Sequence, residues 1–216
     1  MLNYNIQNYA QARYMEHSDA MGKFQLSIKR LFDIVFSLVG LVVLSPLFLV
    51  FSIILLFSNG PIIFKQERIG YKGKKFIIYK FRTMSVDAES DGIPRLEAER
   101  NKYLTPFGSF LRAHHLDELP QLWNVLKGDM SFVGPRPERQ YFIDQINRET
   151  DDYRFIYLMR PGVTSYATIY NGYTDTLEKM LKRLELDLEY LDNRNLFTDL
   201  GIIFKTVFSI FSGKKF

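Results

Sequence analysis

The sequence predicts a mainly helical α+β fold: a broken, membrane-embedded helix near the N-terminus, then a small domain with a short strand pair and surface and interfacial helices. Three observations carry this. Residues 31–57 form an apolar run interrupted by little more than Asp33, a few serines, Gly40 and the pair Ser45-Pro46. Two β-rich stretches, around 62–64 and 76–84, sit on either side of a lysine-rich turn. Beyond residue 105, apolar residues return repeatedly at three- and four-residue spacing, the period of a helix face.

At 216 residues the chain has material for one good core. A hydrophobic fraction of 47% with 15% aromatic residues excludes a disordered chain. No cysteine is present, which excludes disulfides, thiolate metal sites and a cysteine nucleophile. The net charge of +4 fits anionic lipid, nucleotide or nucleic acid partners and selects none of them.

In chain order, residues 1–25 are polar and rich in Tyr, Gln and Asn, a weakly ordered lead-in without a signal-peptide core. Residues 26–58 carry the apolar run. A helix of about 27 residues would reach roughly 40 Å, enough for a bilayer core of about 30 Å, so membrane embedding is expected. Pro46 removes a helix hydrogen bond and breaks or kinks the helix there, while Ser45 can satisfy a freed carbonyl. Lys23, Lys29 and Arg30 precede the run, and Lys65, Arg68, Lys72, Lys74 and Lys75 follow it. Basic residues on both sides fit a hairpin that returns to the cytoplasmic face; a kinked single span is the alternative.

Residues 59–216 form the remaining domain. Asn59-Gly60-Pro61 makes a turn, Ile62-Ile63-Phe64 a short strand, and Phe76–Met84 a second strand on which alternation sets Lys80 and Arg82 on one face. These two cations either meet phosphates or form a solvated, membrane-facing basic strand. Residues 85–100 read as a charged loop followed by a polar helical piece, and Thr105-Pro106-Phe107-Gly108 leads into a helix that bears Phe110, Leu111 and Arg112.

The densest chemistry lies in residues 111–137. Leu116, Leu119, Leu122, Trp123 and Leu126 suggest one helix face, with Asp117 as N-cap, Pro120 in the first turn and Gly128 at the end. Adjacent carboxylates Asp117 and Glu118, cations Arg112 and Arg136, and the rigid Pro135-Arg136-Pro137 loop suit phosphate chemistry, which needs a nucleophile or metal ligand and cations. The plainer reading makes Asp117 a cap and Glu118 a favourable first-turn charge. His114 and His115 point in different directions on a helix, and His17 lies far off in sequence, which argues against a histidine zinc site. Glu138–Asn147 and Tyr153–Met159 read as helical, and Asp175–Asp192 as a surface helix. Leu196–Phe211, apolar with sparse charges, reads as an interfacial helix near anionic membrane lipid or as a buried core helix.

The run Leu-Asp-Glu-Leu-Pro-Gln-Leu-Trp-Asn-Val-Leu-Lys-Gly-Asp-Met-Ser-Phe-Val-Gly-Pro-Arg-Pro, from Leu116, resembles the signature of bacterial sugar transferases, the monotopic phosphoglycosyl transferases. Lys80-Phe81-Arg82-Thr83-Met84 and Arg160-Pro161-Gly162-Val163-Thr164 resemble further boxes of that family. The resemblance extends from about Lys29 to the C-terminus, and it departs at His115, where the family carries a small hydroxyl residue, and over Ser165–Tyr173.

The resemblance implies a re-entrant hairpin broken at Ser45-Pro46 and a monotopic protein on the cytoplasmic face of the bacterial inner membrane. It implies phosphosugar transfer from a UDP-sugar to polyprenyl (undecaprenyl) phosphate, releasing UMP through a phospho-Asp117 intermediate. Glu118, the second catalytic residue, would contact Mg2+ and give acid/base help, with Asp129 as a second metal contact or a turn cap. Arg112, Arg136, Lys80 and Arg82 would hold phosphates, with Pro135 and Pro137 fixing Arg136. Downstream glycosyltransferases are implied partners in polysaccharide or glycoconjugate assembly; a homodimer is left open. No nucleic-acid motif is present. The rival classes are a non-catalytic membrane-anchored scaffold and a lipid-phosphate hydrolase, separated from a transferase by acceptor dependence.

Overall fold

The computed structural model describes residues 17–89, 101–172 and 176–212. The expectations for residues 1–16 and 90–100, for Tyr173 and for the terminal lysines lie outside that set.

The apolar run forms two helices, α1 (Lys23–Val43) and α2 (Ser45–Leu56), bent by 59° at Leu44. Proline cannot donate the hydrogen bond that would continue α1, so Pro46 occupies the first turn of a new helix. The Ser45 hydroxyl donates to Val42 O at 2.7 Å, as its position before the proline suggested. No single helix among the described residues is long and apolar enough to cross a membrane; α1 and α2 reach that length and apolarity only together.

The structure corrects the meaning of the leading charges. Lys29 and Arg30 lie within α1 and bind the domain. Lys29 Nζ donates to Val133 O at 2.9 Å and pairs with Asp199, and Arg30 donates to Val125 O (2.6 Å) and Leu126 O (2.8 Å). Asp33, the one acid inside the apolar run, is buried and accepts from Ser131 Oγ (3.1 Å) and Phe132 N (3.0 Å). These polar groups fasten the start of α1 to the domain, so their charge is used inside the protein and is a poor guide to topology.

The domain begins with an antiparallel pair, β1 (Ile63–Ile69) and β2 (Lys75–Phe81), in register Phe64↔Lys80 and Gln66↔Ile78. The first strand is longer than expected and absorbs Gln66-Glu67-Arg68, while the second stops at Phe81, before Arg82. Next come α3 (Pro106–Ala113), capped by Thr105 Oγ1 accepting from Gly108 N at 2.9 Å, a 3-10 turn over Leu116–Glu118, and α4 (Gln121–Lys127). Asp117 is therefore no N-cap. The helix begins four residues later with Pro120 at the cap position, and Gly128 ends it at φ 94°. The buried face of α4 is Gln121, Leu122, Asn124 and Val125, with Trp123 exposed, because the preceding turn shifts the phase of the expected leucine stripe.

The second pair, β3 (Ser131–Val133) and β4 (Gly162–Thr164), is parallel. Here Gly134 and Gly162 let two backbones touch: a Cβ on Gly134 would stand 2.1 Å from Arg160 O. Between these strands lie α5 (Gln140–Ile146) and α6 (Tyr153–Ile156). The chain closes with α7 (Tyr166–Asn171), α8 (Leu177–Asn193) and α9 (Leu196–Ser212).

The main core joins Phe142, Ile143, Ile146, Tyr153 and Ile156 to Leu184, Leu188 and Leu191 of α8 and to Ile202 of α9. Thus α8, read as a surface helix, supplies a full inner face of the core. A smaller core of Phe51, Leu55, Phe81 and Leu111 seats one side of α2 on β2 and α3. The opposite sides of α1 and α2 expose Phe32, Phe36, Val42, Leu49 and Ile53, and α9 exposes Phe197, Phe204 and Phe208. Such a surface calls for an apolar covering.

Candidate functional site

A cavity of about 710 Å³ opens between the strand pair, the 3-10 turn, the Pro-Arg-Pro loop and α8. Every expected phosphate-binding cation lines it: Lys80 and Arg82 from the end of β2, Arg112 from the last turn of α3, and Arg136. Asp117 and Glu118 lie on its wall too. Four separate segments, scattered over more than fifty residues, are thereby brought to one place.

The two carboxylates behave differently although they are neighbours. Asp117 is buried, and that burial raises its pKa; the Glu118 charge adds to the rise, while Lys80, Arg112 and His115 oppose it. For Glu118 burial also favours the neutral form, but Lys80 and Arg136 outweigh it and hold the pKa down to about 2. The Lys80 ammonium donates to Glu118 Oε1 at 2.5 Å. At neutral pH the site therefore keeps a firmly ionised Glu118 and an Asp117 whose charge depends on nearby cations.

His115 precedes the pair with φ 54° and ψ 20°, a left-handed conformation that costs a non-glycine residue on the order of 1 kcal/mol. This bend turns the chain from α3 into the 3-10 turn and carries Asp117 inward. His115 lines the cavity, whereas His114 is exposed with its ring against Phe110 (4.6 Å).

Arg82 acquires partners that the strand pattern did not suggest. Its guanidinium donates to Asn59 O, to the Ser58 hydroxyl, and at 3.3 Å to Leu55 O and Ser58 O. It thus covers the open carbonyls at the end of α2. Asp129 sits beyond the far end of α4, where it pairs with Lys127 at 2.8 Å, and does not line the cavity; its surroundings fit a turn residue. Pro135 is fully buried and its carbonyl accepts from Gly162 N at 2.9 Å, while Pro137 O accepts from Arg68 at 2.9 Å.

Several residues of the site carried no sequence signal. Asn124, fully buried, donates to Ile77 O (2.7 Å) and accepts from Tyr79 N (3.1 Å), locking α4 onto β2 beside Lys80. Arg68, Glu138 and Arg183 line the cavity behind the Pro-Arg-Pro loop. Each lies among other charged and polar residues, so its charge alone did not single it out.

No group of three or more His, Asp or Glu able to hold a metal occurs among the described residues. Asp117 and Glu118 alone offer two adjacent carboxylates on the cavity wall. That donor set fits Mg2+, which takes one or two carboxylates and completes its shell with water and substrate phosphates.

A mainly helical domain that follows a bent pair of apolar helices gathers two adjacent carboxylates and the four expected cations in one cavity. Residues 24–213 match the bacterial sugar transferase family, and the chain belongs to it. It is 38% identical over 187 residues to the UDP-N-acetylgalactosamine-undecaprenyl-phosphate N-acetylgalactosaminephosphotransferase of Aeromonas hydrophila, covering 86% of this chain and 44% of that protein. It is 41% identical over 190 residues to the UDP-glucose:undecaprenyl-phosphate glucose-1-phosphate transferase of Escherichia coli K12, covering 87% and 41%. The undecaprenyl-phosphate galactose phosphotransferase of Salmonella typhimurium is 38% identical over 193 residues, covering 83% and 39%. The chain spans about two-fifths of the length of these relatives.

Proposed function

We propose that the protein is an enzyme that transfers a sugar phosphate from a UDP-sugar to undecaprenyl phosphate, releasing UMP. The observation that carries this reading is the buried Asp117 beside the Lys80–Glu118 pair, in a cavity lined by Arg112 and Arg136. The names of the relatives supply the acceptor and the class of donor.

In the first half-reaction an Asp117 carboxylate oxygen attacks the phosphorus that bears the sugar. The bond from that phosphorus to the bridging oxygen breaks, UMP departs with the electron pair, and a phosphosugar ester remains on Asp117. In the second half, a phosphate oxygen of the lipid attacks the same phosphorus, and the Asp117 carboxylate leaves. Splitting the transfer lets a soluble donor and a membrane acceptor occupy the site in turn.

Arg112 and Arg136 orient the diphosphate and offset its charge as the nucleophile approaches. Lys80 keeps Glu118 ionised and lowers the cost of an ionised Asp117. Glu118, with Asp117, would hold Mg2+, which when bound supplies positive charge against the phosphate oxygens. The α1–α2 pair serves as a re-entrant hairpin, and α9 rests its exposed phenylalanines in the interface, on the cytoplasmic face. Both surfaces are apolar and exposed among the described residues.

The test is UMP release by the protein in nanodiscs, with UDP-glucose, UDP-galactose and UDP-N-acetylgalactosamine and Mg2+, with and without undecaprenyl phosphate. Turnover that requires the acceptor and disappears in Asp117→Asn supports the transferase. Continuous turnover without acceptor makes the protein a hydrolase.

A further inference from the structure

A polar cluster lies directly behind the Pro-Arg-Pro loop and takes no part in the chemistry above. Its centre is Glu138, the residue after Pro137. Arg183 of α8 donates to Glu138 Oε1 at 3.1 Å, and Arg68 of β1 stands 3.6 Å from Glu138 Oε2. Backbone contacts fasten the same point: Arg68 Nη1 donates to Pro137 O at 2.9 Å, and Ile69 N to Glu138 O at 3.1 Å. The second arm of Arg183 reaches Gly172 O at 3.4 Å, at the end of α7. One turn further along α8, Asp187 is 4% exposed. Its Oδ1 and the Arg183 Nε have no hydrogen-bond partner among the described residues. A void of about 20 Å³, bounded by Arg136, Glu138, Tyr153, Arg183 and Asp187, has room for a single water to bridge them.

Two guanidiniums, one against each oxygen of a single carboxylate, are costly to bury unless the geometry is fixed, and they leave that residue little freedom. Glu138 is two residues from Arg136, with a proline between them that cannot relax by rotating φ. Slack at Glu138 therefore shifts the backbone that carries Arg136.

We propose that Arg183 is a positioning residue: by holding Glu138 against Arg68, it sets the Pro-Arg-Pro loop so that Arg136 meets the diphosphate of the donor. The proposal rests on the reading of the cavity as a nucleotide-diphosphate site. Arg183 acts through Arg136, so its contribution to diphosphate binding vanishes once Arg136 is gone.

The test combines UDP binding in the presence of Mg2+, by calorimetry, with backbone amide exchange in the ligand-free protein, using Arg183→Gln, Arg136→Ala and the double variant. Arg183→Gln is expected to weaken UDP binding on the order of tenfold. The double variant is expected to bind no worse than Arg136→Ala alone. The amides of Ile69, Glu138 and Arg139 should exchange faster in Arg183→Gln. Arg183→Lys, which keeps the charge but cannot span Glu138 and Gly172 together, should fall between, and it replaces Arg183→Gln if that variant does not fold. Unchanged affinity, or losses that multiply in the double variant, overturns the proposal, as does unaltered exchange in the loop. Failure of the unmodified protein to bind UDP would overturn the nucleotide reading instead, and loop exchange would then decide the positioning claim by itself.

Discussion

Asp187 offers a quantitative test of the buried cluster. Burial lifts its carboxyl pKa to about 7, against an ordinary 3.8; Arg183 pulls it back and Glu138 pushes it further up. The folded protein therefore holds this proton more tightly than the unfolded chain. Stability from Asp187 is fully present below about pH 4 and declines as pH rises toward 7, where the folded protein also releases the proton. The whole decline is about 4 kcal/mol, at about 1.4 kcal/mol per pH unit. Asp187→Asn keeps the shape of the neutral acid and removes its ionisation. The stability difference between Asp187→Asn and the unmodified protein should grow in favour of the variant as pH rises from about 5 to about 7 and level off above that. Thermal or denaturant unfolding in one detergent across that range measures it. Parallel curves at every pH, or a variant that loses ground at high pH, would refute the assignment of a neutral Asp187 in the folded protein.

Other substitutions probe separate parts of the account. Gly134→Ala drives a methyl group to 2.1 Å from Arg160 O and should cost about 3 kcal/mol or more, whereas Gly201→Ala meets nothing within 4 Å and should be neutral or stabilising; melting temperatures distinguish them. Asp199→Ala removes the charged partner of the half-buried Lys29 and the acceptor of the Tyr190 hydroxyl, and should cost about 3 kcal/mol; the Lys29→Met/Asp199→Leu double variant should recover a large part of it in the same unfolding assay. Lys80→Met takes away the strongest influence holding the Glu118 pKa down, so the acid limb of the UMP-release profile should move up by about one pH unit or more. An unmoved limb would show that Lys80 does not control the ionisation of that site.

The sequence made the break between α1 and α2 legible because its signals are local. Apolar length and a Ser-Pro pair decide where a helix breaks, and the Ser45 bond to Val42 O follows from their adjacency. The strand pair was legible for the same reason, though β1 ran further than its apolar part because pairing with β2 carries Gln66, Glu67 and Arg68 along. Lys80, Arg112, Asp117, Glu118 and Arg136 all line the cavity, since their charges cluster around short motifs.

What stayed hidden depends on distant partners. The left-handed turn at His115 shifts the α4 phase, and no spacing rule contains it. Lys29 and Arg30 looked like boundary charges because their acceptors, Val133 O, Asp199, Val125 O and Leu126 O, are about a hundred or more residues away. Arg82 looked ready for phosphate until the end of α2 was folded against it. Arg183 drew no attention at all, because its meaning comes entirely from Glu138.

The measurement that bears most directly on the central claim is intact mass of the protein after brief exposure to each UDP-sugar with Mg2+ and no acceptor. The account predicts a sugar-phosphate adduct that maps to Asp117, is absent in Asp117→Asn, and discharges when undecaprenyl phosphate is added. An adduct on a different residue, or acceptor-dependent UMP release that survives in Asp117→Asn, would contradict it.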